Sequence, residues 1–210
     1  MQAMNLQRNR FIAIVLLVIL VNALLVYSMT GVAHLKKASR LPLNIPVRNG
    51  DLVMRRGKGL VSNWFSSCST QDRSFSHAGV VLMKNNIPYV VHLQQDDLSG
   101  IKMEEFSSFI SDDVCSKSAI YRLDLDEKEI QTMMEEINED LDKKISFDPE
   151  FNFENSSTMY CSEWIRHLVV QATDDAAYFP VTKAGDFTYI APDNLYLNKH
   201  TRLICTITHQ

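Results

Sequence analysis

Near its N-terminus the chain has a continuous apolar segment, residues 11–29, in which only Asn22 and Ser28 are polar. A helix of that length rises roughly 28 Å at about 1.5 Å per residue, close to the thickness of a bilayer core. The pattern predicts one uncleaved membrane-spanning helix. A cleaved signal peptide is the alternative, because Gly31 and Ala33 form a small-x-small pattern, although its apolar region usually has about 7–15 residues. A buried core helix is the least favoured interpretation, since the segment has no polar face.

After a linker at about residues 34–48, short β-rich segments follow. Two of them, residues 76–83 and 87–93, flank Asn85-Asn86, a dipeptide that tolerates the positive φ of tight turns. They predict a β-hairpin with a two-residue turn. Further strands are predicted at residues 51–55, 119–123 and 202–207.

Apolar residues recur at helical spacing over residues 126–143, with Asp126 as the predicted N-cap and Glu129 three residues later. The acidic outer face of this helix is typical of a solvated surface rather than a metal site. A second helix carries Cys161 in its first turn, and nearby hydroxyl groups can cap it. The predicted capping residues are Ser156, Ser157 and Thr158. Shorter helices are predicted at residues 60–65 and 104–110.

The composition narrows the class of protein. With 46% hydrophobic and 22% charged residues over 210 positions, it excludes disordered, collagenous and polytopic membrane chains. Residues 1–33 contain two basic and no acidic residues, so the remainder has 19 basic against 25 acidic residues, a net charge of −6. This charge argues against nucleic acid as a partner. We predict an N-terminal membrane anchor or signal with its linker, residues 1–40, and one folded domain, residues 41–210.

The basic residues around the apolar segment do not settle its orientation. Arg8 and Arg10 precede it, and four basic residues follow at positions 36, 37, 40 and 48. Because basic residues are enriched on the cytoplasmic side, this count slightly favours a cytoplasmic domain. A basic N-terminus with one apolar segment after it is, however, the usual layout of a signal anchor that exports the domain on its C-terminal side. We therefore expect a single-pass membrane protein whose domain is periplasmic or otherwise extracytoplasmic.

The predicted hairpin brings two histidines together. With a two-residue turn at Asn85-Asn86, the register places His92 opposite Gly79, and His77 lies two residues before Gly79. His77 and His92 are then diagonal neighbours on one face, roughly 7–8 Å apart at the backbone. Gly79 leaves room for the two imidazoles to meet. A three-residue turn would put them on opposite faces.

Cys161 supplies the other half of a candidate catalytic site. The N-terminus of a helix favours negative charge and so lowers a thiol pKa, and the thiolate is the nucleophile. A neighbouring histidine can take the proton and a third polar group can fix the tautomer of its ring, and Cys161, His77 and His92 can fill these roles without a cofactor. Three alternatives stay open: a zinc site on the same three residues, a non-catalytic groove that binds peptide or lipid, and Cys68 as the nucleophile. The four cysteines, at positions 68, 115, 161 and 205, match neither a CxxC metal pattern nor a dense disulfide framework.

Four short motifs carry a family resemblance. They are GDLV from Gly50, SHAGVV from Ser76, YVVH from Tyr89 and YCSEW from Tyr160. In this order they resemble the YiiX-like branch of the circularly permuted NlpC and papain-like cysteine hydrolases, which are related to the lecithin retinol acyltransferase-like enzymes. The resemblance covers residues 49 to about 200, including the sequence IAPDNL at residues 190–195.

The resemblance implies an α+β, permuted papain-like fold in which a small antiparallel sheet or barrel packs against helices. It implies Cys161 as nucleophile, His77 as general base and His92 as the orienting residue. YiiX-like members often have a glutamate at the position of His92, whereas the acyltransferase-like relatives have a second histidine. The implied reaction is hydrolysis or transfer at an amide, thioester or ester carbonyl through an acyl-enzyme. The implied substrates are cell-wall peptides or lipid acyl groups.

Overall fold

The computed structural model describes residues 45–94, 100–143, 145–148, 151, 153 and 158–209. The strands are β1 Leu52–Gly57, β2 His77–Lys84, β3 Ile87–Leu93, β4 Ile101–Glu105, β5 Cys115–Leu123, β6 Ser146–Phe147, β7 Thr158–Met159, β8 Thr182–Ala184, β9 Phe187–Tyr189 and β10 Thr201–Thr208. The helices are α1 Leu60–Ser67, α2 Phe106–Phe109, α3 Glu127–Asp142 and α4 Cys161–Thr173, with a 3₁₀ turn at Pro192–Leu195. No helix in these ranges is long and apolar enough to cross a membrane, and the predicted membrane segment, residues 11–29, lies outside them.

Six strands form one antiparallel sheet in the order β10-β5-β1-β2-β3-β4. Two small pairs, β6 with β7 and β8 with β9, lie apart from it in the topology. Helix α4 packs against β2 and against α3. The chain therefore has the predicted α+β architecture, a mostly antiparallel sheet packed against helices.

The alternation of side chains along the strands divides the core between the two faces of the sheet. Leu52, Met54 and Val80 point into the larger cluster, which includes the apolar stripe of α4. Val53 and Val81 point into a smaller cluster on the other face, where Phe106, Phe109 and Ile110 cover it. Both clusters are fully buried at the centre of the sheet, so the strands are fixed in register from both sides.

Most predicted elements are confirmed to within a few residues, including the hairpin, the capping box of α3 and Cys161 in the first turn of α4. Two predictions are wrong. Residues 101–105 form strand β4, so the helix expected at 104–110 is reduced to α2, Phe106–Phe109. Helix α4 begins after Tyr160 without a side-chain cap, and Thr158 lies in β7; Ser156 and Ser157 lie outside the described residues.

Gly79 is required by the close approach of β2 and β3. A Cβ atom there would stand 2.5 Å from Cγ1 of Val90 and 2.9 Å from the Val91 carbonyl oxygen. We expect Gly79→Ala to lower the free energy of unfolding by about 3 kcal/mol, because the backbone oxygen can move only with its strand. Gly185→Ala is the control: that site is open but has a positive φ of 63°, so about 1 kcal/mol is expected. Equal losses in urea unfolding would contradict the packing explanation.

Candidate active site

The hairpin register is as predicted, and it places His77 and His92 in contact. Asn85 and Asn86 both have positive φ, 52° and 64°, and Lys84 pairs with Ile87 across the turn. Nε2 of His77 lies 2.9 Å from Nδ1 of His92. Because β2 and β3 hold both backbones, the two imidazoles have a fixed mutual position.

Glu104 extends this pair, and the sequence interpretation missed it. The residue lies on β4, and its Oε1 is 3.0 Å from Nε2 of the fully buried His92. Arg55, on β1, stands 3.5 Å from the same carboxylate oxygen. The contacts with His92 and Arg55 hold the pKa of Glu104 below its ordinary value although partial burial acts to raise it. The site therefore contains a carboxylate, supplied one strand beyond the second histidine.

Arg55 is itself held on three sides. Its guanidinium donates to the carbonyl oxygen of Phe109 and to Oε1 of Gln94, each at 3.2 Å, and lies 4.2 Å above the Phe109 ring. The same ring packs against both imidazoles, with centroid distances of 5.8 Å to His77 and 5.0 Å to His92. Phe109 and Arg55 thus restrict the histidines to the observed rotamers.

Cys161 begins helix α4, and the start of that helix is fixed by the segment around Ile190. The Tyr160 hydroxyl accepts a hydrogen bond of 2.8 Å from the Ile190 N–H, and the Ser162 hydroxyl donates to the Ile190 carbonyl at 2.8 Å. One turn later the Trp164 indole donates to Asp140 of α3 at 2.9 Å. These buried contacts set the position of the thiol relative to the sheet.

Cys161 and His77 line one cavity of about 370 Å³. Apolar, polar and cationic side chains all contribute to its lining. The lining residues are Arg55, Gly57, Lys58, Val61, Ser62, Phe65, Ser76, His77, Gln94, Val114, Phe147 and Cys161. The structure therefore brings two of the three predicted catalytic residues to a common space, while His92 lies behind His77 and does not line it.

Burial disfavours charge on both reacting groups. It raises the pKa of Cys161, and the N–H groups of Ala78, Ser162 and Cys161 itself act in the opposite direction. Burial, together with the Arg55 cation, lowers the pKa of His77 well below its ordinary value. The N–H groups at the helix terminus thus act to lower the pKa of the thiol, but burial outweighs them, and burial favours the neutral form of both groups that line the cavity.

The alternative nucleophile and the acidic residues of the GDLV and YCSEW motifs have other partners. Cys68 follows α1, and its thiol faces the Trp64 carbonyl at 3.7 Å, outside the cavity lining. Asp51 lies at the opposite end of β1, bound to Arg122. The Glu163 carboxyl faces the Tyr160 N–H, and burial raises its pKa to about 7. All four cysteines are free.

The three predicted residues do not fit a zinc ion as they stand. Two nitrogen ligands at about 2.0–2.1 Å from a tetrahedral ion would be roughly 3.3 Å apart with both lone pairs aimed at the ion. Nε2 of His77 and Nδ1 of His92 instead face each other at 2.9 Å, and the other His92 nitrogen faces Glu104. Within the described ranges no group of three or more His, Cys, Asp or Glu residues is arranged to hold a metal.

A cysteine at a helix N-terminus and a histidine on an antiparallel sheet line one cavity, with the histidine earlier in the chain, which is the arrangement of a permuted papain-like cysteine hydrolase. The chain belongs to the family of permuted papain-like amidase enzymes, YaeF/YiiX, C92, whose model matches residues 46–184. The protein is accordingly a cysteine hydrolase of amide bonds, and the resemblance drawn from its motifs is confirmed. No curated protein sequence shows significant similarity to it.

A solved structure has the same fold. It is described as the metalloprotein yiiX from Escherichia coli O157:H7, and it superposes with a TM-score of 0.63 at 15% sequence identity. The match covers 77% of this chain and 98% of that chain. At this identity the likeness extends to the fold, and the roles of individual residues rest on the geometry described above.

Proposed function

We propose that this protein cleaves amide bonds of cell-wall peptides through an acyl-enzyme on Cys161. The observation that carries the proposal is the connected series His77, His92 and Glu104, which ends at the cavity that Cys161 shares. Arg55 and Lys58 in the cavity lining suit peptides that bear carboxylates. The apolar lining residues can hold the adjoining aliphatic part of the substrate.

The contacts between the two histidines support Nδ1 of His77 as the base. Nε2 of His92 lies 3.0 Å from the Glu104 carboxylate, although the two groups do not meet in hydrogen-bond geometry; with the His92 proton on Nε2, Nδ1 of the neutral ring is an acceptor. It then accepts the Nε2 proton of His77, which leaves Nδ1 of His77 unprotonated. The Glu104 carboxylate therefore favours one tautomer of His92 and, through it, one tautomer of His77. The unprotonated nitrogen is then Nδ1 of His77, the histidine that lines the cavity.

The proposed reaction has two steps. Nδ1 of His77 takes the Cys161 proton as the sulfur attacks the amide carbonyl, and the imidazolium then protonates the leaving amine as the C–N bond breaks. Water attacks the thioester with His77 again as base, which releases the acid and restores the thiol. Glu104 and His92 stabilise the imidazolium formed in each step.

Backbone N–H groups are available for the oxyanion. Those of Cys161 and Ala78 both approach the sulfur and act to lower its pKa. We propose that they turn to the carbonyl oxygen as the tetrahedral intermediate forms, since this oxygen develops next to the sulfur. The neighbouring structure is described as a metalloprotein, but the donors in this chain do not fit zinc, and the proposed steps use protein groups and water.

We further propose that residues 1–40 anchor the protein to a membrane and that residues 41–210 act outside the cytoplasm. The support is the apolar segment 11–29 with its basic N-terminal flank. A cell-wall substrate lies on that side of a bacterial membrane.

Lipid acyl groups are the second candidate substrate. Val61, Phe65, Val114 and Phe147 line the cavity, and Leu60 and Trp64 of α1 are exposed beside Val61. These surfaces fit an acyl chain leading into the site. A non-catalytic groove for peptide or lipid would have no use for the buried His92 and its carboxylate.

Intact-mass spectrometry of acid-quenched reactions tests the proposed function. The full chain is mixed with wall-derived peptides, N-acyl amides or phospholipids, and the mass increment identifies the acyl group that is transferred. We expect an adduct on Cys161 with wall peptides. An adduct from phospholipids alone would favour the second candidate, and turnover without any Cys161 adduct would refute the acyl-enzyme.

Glu104→Gln tests the role of the carboxylate. Loss of its charge removes stabilisation of the His77 imidazolium, and we expect kcat to fall about tenfold with KM unchanged. A carboxylate in direct contact with the base would cause a larger fall, but Glu104 acts through His92. Glu105→Gln on the same strand is the matched control, because Glu105 is exposed and contacts Ser107. A similar fall in both variants would contradict a positioning role for Glu104.

The pH dependence follows from the burial of His77. Its pKa lies well below the ordinary value, so the neutral base persists as the pH falls through about 6.5. We expect kcat/KM to stay constant through this range and to decline only at lower pH, where His77 gains a proton. Half-loss of kcat/KM near pH 6.5 would show that His77 titrates as a solvated histidine.

A further inference from the structure

A second cavity, of about 290 Å³, lies at the end of the sheet opposite to the catalytic cavity. Strand β1 runs from one to the other: Arg55 and Gly57 near its end line the catalytic cavity, and Arg48 precedes its start. The two cavities share no residue. The second is lined by Arg48, Arg122, Leu123, Asp124, Leu125, Lys199, His200, Thr201 and Arg202.

The charge of this second cavity is opposite to that of the domain. Four cationic side chains line it together with one carboxylate, Asp124, and the buried Asp51 pairs with two of the four, Arg48 and Arg122. The four cations and these two carboxylates give the cavity a net charge of +2, on a domain whose net charge is −6. The cluster is invisible in the sequence, because its members come from three separate parts of the chain.

Arg122 is fixed in place. It donates to both Asp51 oxygens at 2.8 Å and to the Pro46 carbonyl at 3.0 Å, and Asp51 is buried. These bonds use Nε and Nη2, while no acceptor among the described residues contacts Nη1. The guanidinium is thus held rigidly with a donor to spare, as a preorganised anion ligand requires.

Arg202 lies directly opposite Arg122 in the pairing of β10 with β5. Like charges at directly opposed positions of an antiparallel pair destabilise the sheet. Arg202 and Lys199 are exposed, and neither forms an ion pair with a carboxylate in the described part of the chain. A bound anion between the two arginines would remove this repulsion.

We propose that this second cavity binds a phosphate group through Arg122, Arg202, Lys199 and Arg48. Guanidinium groups bind phosphate oxygens in pairs, and the cavity holds one such group with room for its substituent. The phosphate belongs either to the headgroup of an anionic lipid or to a soluble phosphate ester. The site is independent of the proposed hydrolysis, because the two cavities have no residue in common.

Hydrogen exchange of the full chain in lipid nanodiscs tests this proposal. Three samples are compared: phosphatidylcholine discs alone, the same discs with inorganic pyrophosphate, and discs containing phosphatidylglycerol. At about ten times Kd we expect roughly tenfold slower exchange at residues 199–203. Protection by phosphatidylglycerol alone assigns a lipid headgroup, and protection by pyrophosphate as well assigns a general phosphate site.

The matched variants are Lys199→Ala/Arg202→Ala and Lys128→Gln/Lys183→Gln, which change the net charge equally. The first pair should abolish the protection, and the second, with both lysines exposed outside the cavity, should retain it. No protection in either phosphate sample, or equal loss in both double variants, would overturn the proposal. Hydrolysis by all variants serves as the check on folding.

Discussion

Replacing Cys161 with alanine is expected to abolish hydrolysis, with kcat reduced by a factor of about 10⁴–10⁶, because no other group can form the acyl-enzyme. The thiol is buried at the start of α4, and loss of one sulfur atom there costs about 1 kcal/mol of stability. Product formation is followed by mass spectrometry on wall peptides, and the unfolding midpoint is measured beside it.

Cys68→Ala is the control for this experiment, since Cys68 is the only other cysteine with a role considered from the sequence. It lies outside the cavity lining, and full activity is expected. Equal activity of wild type and Cys161→Ala would refute the nucleophile assignment. Loss of activity in Cys68→Ala with retained activity in Cys161→Ala would transfer the role to Cys68.

Replacing His77 with alanine has the second largest expected effect, a fall in kcat by a factor of about 10³ or more. Burial raises the pKa of Cys161, so without the base the thiol stays protonated and the residual rate should rise as the pH increases. In wild type the rate should not rise in this way, because His77 takes the proton during attack. The measurement is kcat against pH for both proteins.

Added imidazole gives a readout that loss of structure would not produce. Alanine at position 77 enlarges the cavity that Cys161 lines, and we expect imidazole in solution to restore part of the rate. His167→Ala on α4 is the control, because His167 lies 3.9 Å from Glu136 and outside the cavity. A His77→Ala protein that is folded, inactive and unaffected by imidazole would argue against the general-base role.

The hairpin could be predicted because residues next to one another in sequence determine its turn. Two asparagines in sequence define a two-residue turn, and the turn defines the register that brings His77 to His92. Cys161 at the start of α4 was likewise evident from the helical spacing of the apolar residues after it. The membrane anchor remains a prediction, because its residues lie outside those that the structure describes.

Glu104 could not be found in the same way. The spacing of Phe106, Phe109 and Ile110 is typical of a helix. The helix predicted at residues 104–110 therefore included the end of β4, a short strand with partly exposed side chains. Only the long-range pairing of β4 with β3 places Glu104 diagonal to His92. Arg55 presents the same difficulty, since its contacts come from Gln94 after β3, from β4 and from α2, which lie at large separations from it in sequence.

The hydrogen bonds between the C-terminal region and the segment before His77 bear on when the enzyme becomes active during its synthesis. Asp193 accepts backbone N–H groups of residues 70–72, and the Tyr196 hydroxyl donates to the Asp72 carbonyl. Both residues lie beyond residue 184, where the family match ends. They leave the ribosome after every catalytic residue, and so does strand β10. A nascent chain therefore carries the whole catalytic set before the residues that hold the segment ahead of His77 have been synthesised.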